Sequence, residues 1–78
     1  MSDRRVIYTF EKNSVEQVQI SLTEFKGQDF VDIRAFYRSE SGDFKPTRKG
    51  LTISVELLPN LLEGLEMVRR ETLEEVEA

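Results

Sequence analysis

The chain contains no cysteine and no histidine among its 78 residues. These absences exclude disulfides, thiolate nucleophiles, zinc sites built on cysteine or histidine, and any imidazole acid or base. The sequence also lacks a run of 18 apolar residues, and its first fifteen residues lack the apolar core of a signal peptide. We therefore expect a cytoplasmic protein that needs no metal or cofactor and has no membrane partner.

Glycine and proline are scarce as well, with four and two residues, while 38% of the chain is hydrophobic and 33% is charged. This composition is typical of a globular domain rather than of a disordered tail. A domain of this size buries only roughly 60 to 65% of its unfolded surface. A second chain would therefore help to stabilise it.

The formal net charge of -4 is unevenly distributed along the chain. Residues 1–50 hold nine Lys and Arg against eight Asp and Glu, whereas residues 51–78 hold two Arg against seven Glu. Within residues 31–50 lie five basic and three aromatic side chains. Positive charge and aromatic rings are thus concentrated in one stretch, away from the acidic C-terminal part.

Two segments alternate apolar and polar residues with the period of a half-buried strand. They are residues 15–25 and 30–38, and the Gly-containing "KGQD" turn between them predicts an antiparallel hairpin. A second turn, "SESGD", precedes a short third strand at 44–45, which we expect to end near Pro46 because proline cannot donate to the ladder. Gly50 would then open a fourth strand.

From Ser54 onward the apolar residues recur every three or four positions, which predicts one amphipathic helix from about residue 55. Ser54 is a suitable N-cap, and Pro59 either bends the first turn or begins the regular helix. The predicted fold class is α+β: a four-stranded antiparallel sheet followed by a C-terminal helix, with a fifth strand if residues 6–10 add one. Residues 1–14 would form an N-terminal arm or extra strand, and residues 15–78 the binding domain.

The polar row of the hairpin is the first candidate site. Alternation places Phe25, Phe30 and Phe36 there, beside Arg34 and Arg38. Single-stranded nucleic acids are bound by this combination, because bases stack on rings while cations neutralise phosphates. The alternative is that the helix packs over this face and the rings form the core.

The second candidate is the basic segment "KPTRKG", residues 45–50, which holds Lys45, Arg48 and Lys49. Its backbone amides and cations could approach a phosphate, although basic loops are often only solvated. No two carboxylates converge on an apolar pocket, and we expect Asp32 to pair with a nearby arginine. We therefore predict no catalytic residues and no enzyme.

The predicted helix runs for about six turns, which is longer than a sheet of this size needs. The excess favours pairing with the same helix of a second chain, through Leu58, Leu61, Leu65 and Val68. The alternative is that the end of the helix is solvated and frays.

The segments "EFKGQDFVDIRAFY" and "GDFKPTRKGLTIS", followed by a leucine-rich helix, resemble the positive cofactor four family of transcriptional coactivators, in its compact bacterial type. The resemblance implies a homodimer whose sheets form grooves for single-stranded or melted DNA. It also implies association with the nucleoid. Together with the polar row, it gives this set of DNA contacts: Phe25, Lys26, Arg34, Phe36, Tyr37, Arg38, Lys45, Arg48 and Lys49.

Two positions depart from the family pattern. The family's stacking tryptophan corresponds to Tyr37, yet strict alternation sends Tyr37 to the apolar face and leaves Phe36 beside the arginines. A bulge or twist near Ala35 would reconcile the two, with Tyr37 as the first choice for stacking and Phe36 as the second. Gln28 stands where many relatives have lysine.

The function predicted from these features is single-stranded DNA binding with little sequence preference, in support of transcription, replication or repair. One alternative is a protein-interaction module that recruits the transcription machinery. Another is single-stranded RNA binding, since stacking is indifferent to the sugar.

Overall fold

A computed structural model describes the backbone of residues 4–77 and the side chains of residues 4–73. Four antiparallel strands form one sheet in the order β1-β2-β3-β4. The strands are β1 (Arg4–Glu11), β2 (Glu16–Phe25), β3 (Gln28–Arg38) and β4 (Phe44–Ser54). A 3-10 turn (Val55–Leu57) then leads into helix α1 (Leu58–Glu77). The predicted α+β class is confirmed, and the N-terminal strand is the fourth member of the sheet rather than a fifth.

The β2–β3 hairpin is regular along its whole length. Its register runs from Phe25 opposite Gln28 at the turn to Glu16 opposite Tyr37 at the far end. Both residues of the turn have positive φ, 53° at Lys26 and 76° at Gly27. Positive φ at both central positions matches the twist of a two-residue hairpin, so the turn fixes the register and hence the face of every side chain.

The strand that follows differs from the prediction. β4 is one strand, not two short ones separated at Pro46. Because β4 lies at the edge of the sheet, proline is tolerated there without breaking a central ladder. The register passes from Pro46 opposite Phe36 to Gly50 opposite Arg34, so residues 47–49 bulge out opposite Ala35.

Directly paired residues of an antiparallel sheet share a face, so the register divides the sheet into a polar and an apolar face. The polar face carries Arg4, Val6, Gln17, Gln19, Ser21, Thr23, Phe30, Asp32, Arg34, Phe36, Arg38, Phe44 and Thr52. The apolar face carries Tyr8, Phe10, Val18, Ile20, Leu22, Val31, Ile33, Ala35, Tyr37, Leu51 and Ile53.

Arg4 reaches across the polar face from β1 to β3. Its guanidinium carbon lies 4.8 Å from the ring centroid of Phe36, although a whole strand separates the two. On this face Phe36 is only 6% exposed and Ser21 is completely buried, with no described helix packed along the strands. Within the described side chains, Ser21 Oγ is left without a hydrogen-bond partner.

Ser54 caps the 3-10 turn that leads into α1, because its hydroxyl accepts a hydrogen bond from the Glu56 amide at 3.2 Å. The regular helix begins at Leu58, next to Pro59. Its contacts within the described chain are chiefly with the 3-10 turn, so it does not pack along the strands. The alternative in which the helix covers the aromatic residues of the polar face is therefore wrong. Within residues 4–77, no helix has the length and apolar character needed to span a membrane.

Candidate nucleic-acid interface

Tyr37 is an exposed ring between cations at the end of β3. It lies on the apolar face of the sheet, and the residue is 43% exposed. Its direct partner on β4 is Lys45, and its direct partner on β2 is Glu16. Lys49 reaches the same place, because its Nζ lies 3.9 Å from Glu16 Oε2. The exposed ring thus has Lys45 as its neighbour on one side and the ion pair of Glu16 and Lys49 on the other.

Glu16 is held in its ionised form by its neighbours. Asn13 donates a side-chain hydrogen bond to Glu16 Oε1 at 2.8 Å, and Lys12 Nζ lies 3.6 Å from the same oxygen. The hydrogen bond from Asn13, with the charges of Lys12 and Lys49, lowers the pKa of Glu16 below its ordinary value. This carboxylate therefore offsets part of the positive charge around Tyr37.

Phe36 lies on the opposite face of the strand and is not open to a ligand. The Arg4 guanidinium covers its ring, and Arg4 Nη2 is held by a hydrogen bond of 2.8 Å to Gln19 Oε1. The predicted irregularity near Ala35 exists, but it lies in β4, while the pairing of β2 with β3 is uninterrupted. It therefore leaves Phe36 and Tyr37 on opposite faces and does not bring Tyr37 to the face of Arg34 and Arg38.

Phe25 and Lys26 lie at the hairpin tip, nine residues of β3 away from Tyr37. At about 3.3 Å per residue this separation is roughly 30 Å. Phe25 is 57% exposed, and Lys26 Nζ lies 5.3 Å from its ring centroid. The tip is thus a second aromatic and basic pair, distant from the first.

The remaining basic candidates differ in their accessibility. Arg38 is exposed on the polar face, with its guanidinium carbon 5.3 Å from the ring centroid of Phe44. Arg48 is exposed in the bulge. Arg34, in contrast, is half-buried and forms the predicted ion pair with Asp32, at 2.9 Å between Nη2 and Oδ1.

The pair of Asp32 and Arg34 is firmly ionised. Partial burial alone would raise the pKa of Asp32, but hydrogen bonds from Arg34 and Thr52 outweigh it and leave the pKa below its ordinary value. The hydrogen bonds to Asp32 likewise raise the pKa of Arg34. Among the residues that the structure describes, no group of acidic side chains could hold a metal ion.

The helix residues predicted to pair with a second chain are only partly covered. Leu58 and Leu61 are half-buried near the 3-10 turn, whereas Leu65 and Val68 are more than half exposed. An apolar row therefore faces outward along α1 in the single chain.

Sequence reasoning missed three residues that shape this region: Arg4, Glu16 and Thr47. Arg4 and Glu16 reach this region through pairing between strands, which local sequence patterns do not predict. Thr47 organises the bulge through hydrogen bonds to β3 and within β4. Its position inside a segment of three basic residues was the only available signal.

Known proteins are similar to this chain in both sequence and fold. Residues 12–64 match the family described as Transcriptional Coactivator p15 (PC4). A Drosophila melanogaster RNA polymerase II transcriptional coactivator is 40% identical over 52 residues, which make up 67% of this chain and 46% of that protein. The chain thus matches about half the length of this curated relative.

Two solved structures support the same relationship. The crystal structure of a PC4 homolog from Burkholderia pseudomallei K96243 superposes with a TM-score of 0.80 at 34% identity, covering 86% of this chain and 90% of the homolog. MoSub1, solved as a DNA complex, gives a TM-score of 0.60 at 28% identity, covering 87% of this chain and 83% of MoSub1. On these matches, and on the strand order and helix already described, the chain belongs to the PC4 family of transcriptional coactivators.

Proposed function

We propose that this chain is a non-enzymatic, homodimeric protein that binds single-stranded DNA with little sequence preference and supports transcription, replication or repair. The observation that carries the proposal is the exposed Tyr37 ring beside Lys45 and Lys49. A base stacks on the ring while the two ammonium groups neutralise the adjacent phosphates. Membership of a coactivator family, and a DNA complex of one relative, support the proposal.

Further contacts extend the binding path beyond Tyr37. Arg48 projects from the neighbouring bulge, and Phe25 with Lys26 offers a second stacking position at the hairpin tip. Arg38 adds charge on the polar face. Phe36 is a weaker candidate than Tyr37, because a base could reach it only by displacing Arg4.

The acidic residues of α1 restrict where DNA binds. Residues 51–78 carry seven Glu against two Arg, so the helix repels phosphates. Positive charge is left around the sheet, at the Tyr37 end and the hairpin tip. This separation disfavours wrong placement of a duplex along the helix.

The dimer is proposed on the uncovered apolar surface of the chain. Only Val31, Ala35 and Phe36 are buried apolar residues within the described side chains. Leu65 and Val68 on α1, and the middle of the apolar sheet face, need a partner to be removed from water. A second copy supplies matching surfaces. We propose that the dimer works in the bacterial cytoplasm, in association with the nucleoid.

The function can be tested by fluorescence anisotropy at two or more salt concentrations. The probes are a DNA single strand of about 20 nucleotides, its duplex and the matched RNA. If five or six phosphates are neutralised, log affinity should fall with log salt at a slope of roughly -3.5 to -4. A flat salt response, or binding no stronger than to heparin, would contradict the proposal and favour a protein-interaction module. Tighter binding of the RNA strand would identify RNA as the ligand instead.

A further inference from the structure

We propose that Arg34 is a positioning residue that fixes the β4 bulge, residues 47–49. Asp32 is the partner that Arg34 needs for this role, and it does more than neutralise the charge of Arg34. This inference rests on the proposed function, because the bulge matters through the cations Arg48 and Lys49 that it presents. It reassigns Arg34 from a phosphate contact to a support of the residues that make the contact.

The guanidinium of Arg34 is already engaged on three of its nitrogens. Its Nε lies 3.2 and 3.3 Å from the two oxygens of Asp32, and its Nη2 lies 2.9 Å from Asp32 Oδ1. Its Nη1 donates to the backbone carbonyl of Thr47 at 3.0 Å. A fork held in this way on a carboxylate has little donor capacity left for a phosphate, but it anchors the first residue of the bulge.

The Asp32 side is equally well anchored. The Thr52 hydroxyl donates to Asp32 Oδ1 at 2.7 Å, so the carboxylate is tied to β4 on the other side of the bulge. Asp32 and Arg34 together therefore hold both ends of the bulge against β3. We call this pair the clamp.

Thr47 completes the local geometry. Its hydroxyl donates to the Ala35 carbonyl at 2.8 Å and accepts from the Lys49 amide at 3.1 Å. The first bond ties the bulge to β3, and the second closes a short turn across Arg48. The direction in which Arg48 and Lys49 project is thus set by Thr47, whose carbonyl the clamp holds.

Gly50 shows how closely the strand returns to β3 after the bulge. A Cβ at this position would lie 2.5 Å from the Ile33 carbonyl oxygen and 2.7 Å from Arg34 Cα. Only glycine permits this approach. Besides the clamp, a close backbone contact at Gly50 therefore fixes where the bulge ends. Loss of the clamp releases the Thr47 carbonyl, at the start of the bulge, while the end stays in place.

The two roles of Arg34 predict opposite signs for one substitution. If Arg34 contacts phosphate, Asp32→Asn removes a competing negative charge and binding should tighten. If the clamp positions the bulge, Asp32→Asn should weaken binding to single-stranded DNA about five- to tenfold, despite the gain in positive charge. Arg34→Lys should also weaken binding, because an ammonium group cannot span Asp32 and Thr47 together.

Asp43→Asn is the matched control, since it changes the charge equally at an exposed carboxylate whose side chain bonds to none of the described residues. We expect it to leave binding unchanged or slightly tighter. Thr47→Val, a milder change, should reproduce part of the loss if Asp32→Asn proves poorly folded. In a Lys49→Ala background Asp32→Asn should cause a smaller loss of DNA affinity, because Asp32 acts through the contact that Lys49 makes.

Tighter binding by Asp32→Asn, or an equal loss with and without Lys49, would overturn the inference. A readout without DNA separates its failure from that of the proposed function. Amide hydrogen exchange of Lys49 should accelerate in Asp32→Asn and stay unchanged in Asp43→Asn. An unchanged rate in both would refute the clamp, whatever the affinity for DNA.

Discussion

Replacing Tyr37 by alanine removes the exposed ring that pairs with Lys45 across the sheet and lies near Lys49. Its backbone position is fixed by regular pairing with Glu16, and its side chain is only partly buried. The substitution should therefore leave the fold and the proposed dimer intact while it removes one stacking partner.

The size of the effect follows from one nucleobase on one ring. Alanine substitution at a stacking residue costs about 1 to 3 kcal/mol per base, so affinity for a single strand should fall about 5- to 150-fold. Lys45 and Lys49 remain in place, so the number of released counterions should not change. The salt slope should stay at its wild-type value while the whole curve shifts to weaker binding.

Fluorescence anisotropy across a salt series measures both quantities at once. Tyr37→Phe keeps the ring and should bind within about twofold of wild type. Tyr8→Ala is a matched control, because Tyr8 lies on the same face and is 60% exposed, but it sits on β1, away from the lysines of β4. We expect little change in that variant.

Three results would refute this reasoning. Tyr37→Phe could lose as much affinity as Tyr37→Ala, which would point to the hydroxyl instead of the ring. Tyr8→Ala could lose as much as Tyr37→Ala, which would make the loss unspecific. A reduced salt slope in Tyr37→Ala would show that the lysines had been disturbed.

Three further outcomes are expected. Glu16→Gln should tighten binding about two- to fivefold at low salt and less at high salt, because it removes a charge beside Tyr37 and frees Lys49; weaker binding in titrations would contradict this. Leu65→Glu combined with Val68→Glu should convert the dimer to monomer in sedimentation velocity and lower the melting temperature; an unchanged dimer mass would exclude this face of α1. Because the pKa of Asp32 is lowered in the folded state, the ionised carboxylate stabilises the fold above its ordinary pKa, near 3.8, and this effect is lost as pH falls through the lower folded value. In urea unfolding below about pH 4, the free energy of unfolding should therefore decrease less for Asp32→Asn than for wild type.

The regular elements could be predicted because their signals are local. Alternation between residues 15 and 38 and the "KG" turn predicted the β2–β3 hairpin, and Ser54 predicted the start of the helical region. The same alternation correctly placed Phe36 and Tyr37 on opposite faces. The break expected at Pro46 was wrong, because whether a proline interrupts a strand depends on whether that strand is at the edge of the sheet.

The sequence by itself determined the α+β class, the segregation of charge between the two parts of the chain, and the residue types available for stacking and phosphate binding. Only the tertiary structure decided which of those residues are free to act. The folded sheet places Arg4 on Phe36 and pairs Arg34 with Asp32, while Tyr37 stays exposed beside Lys45. These contacts join residues far apart in the chain, so they depend on register and twist, which no local pattern encodes.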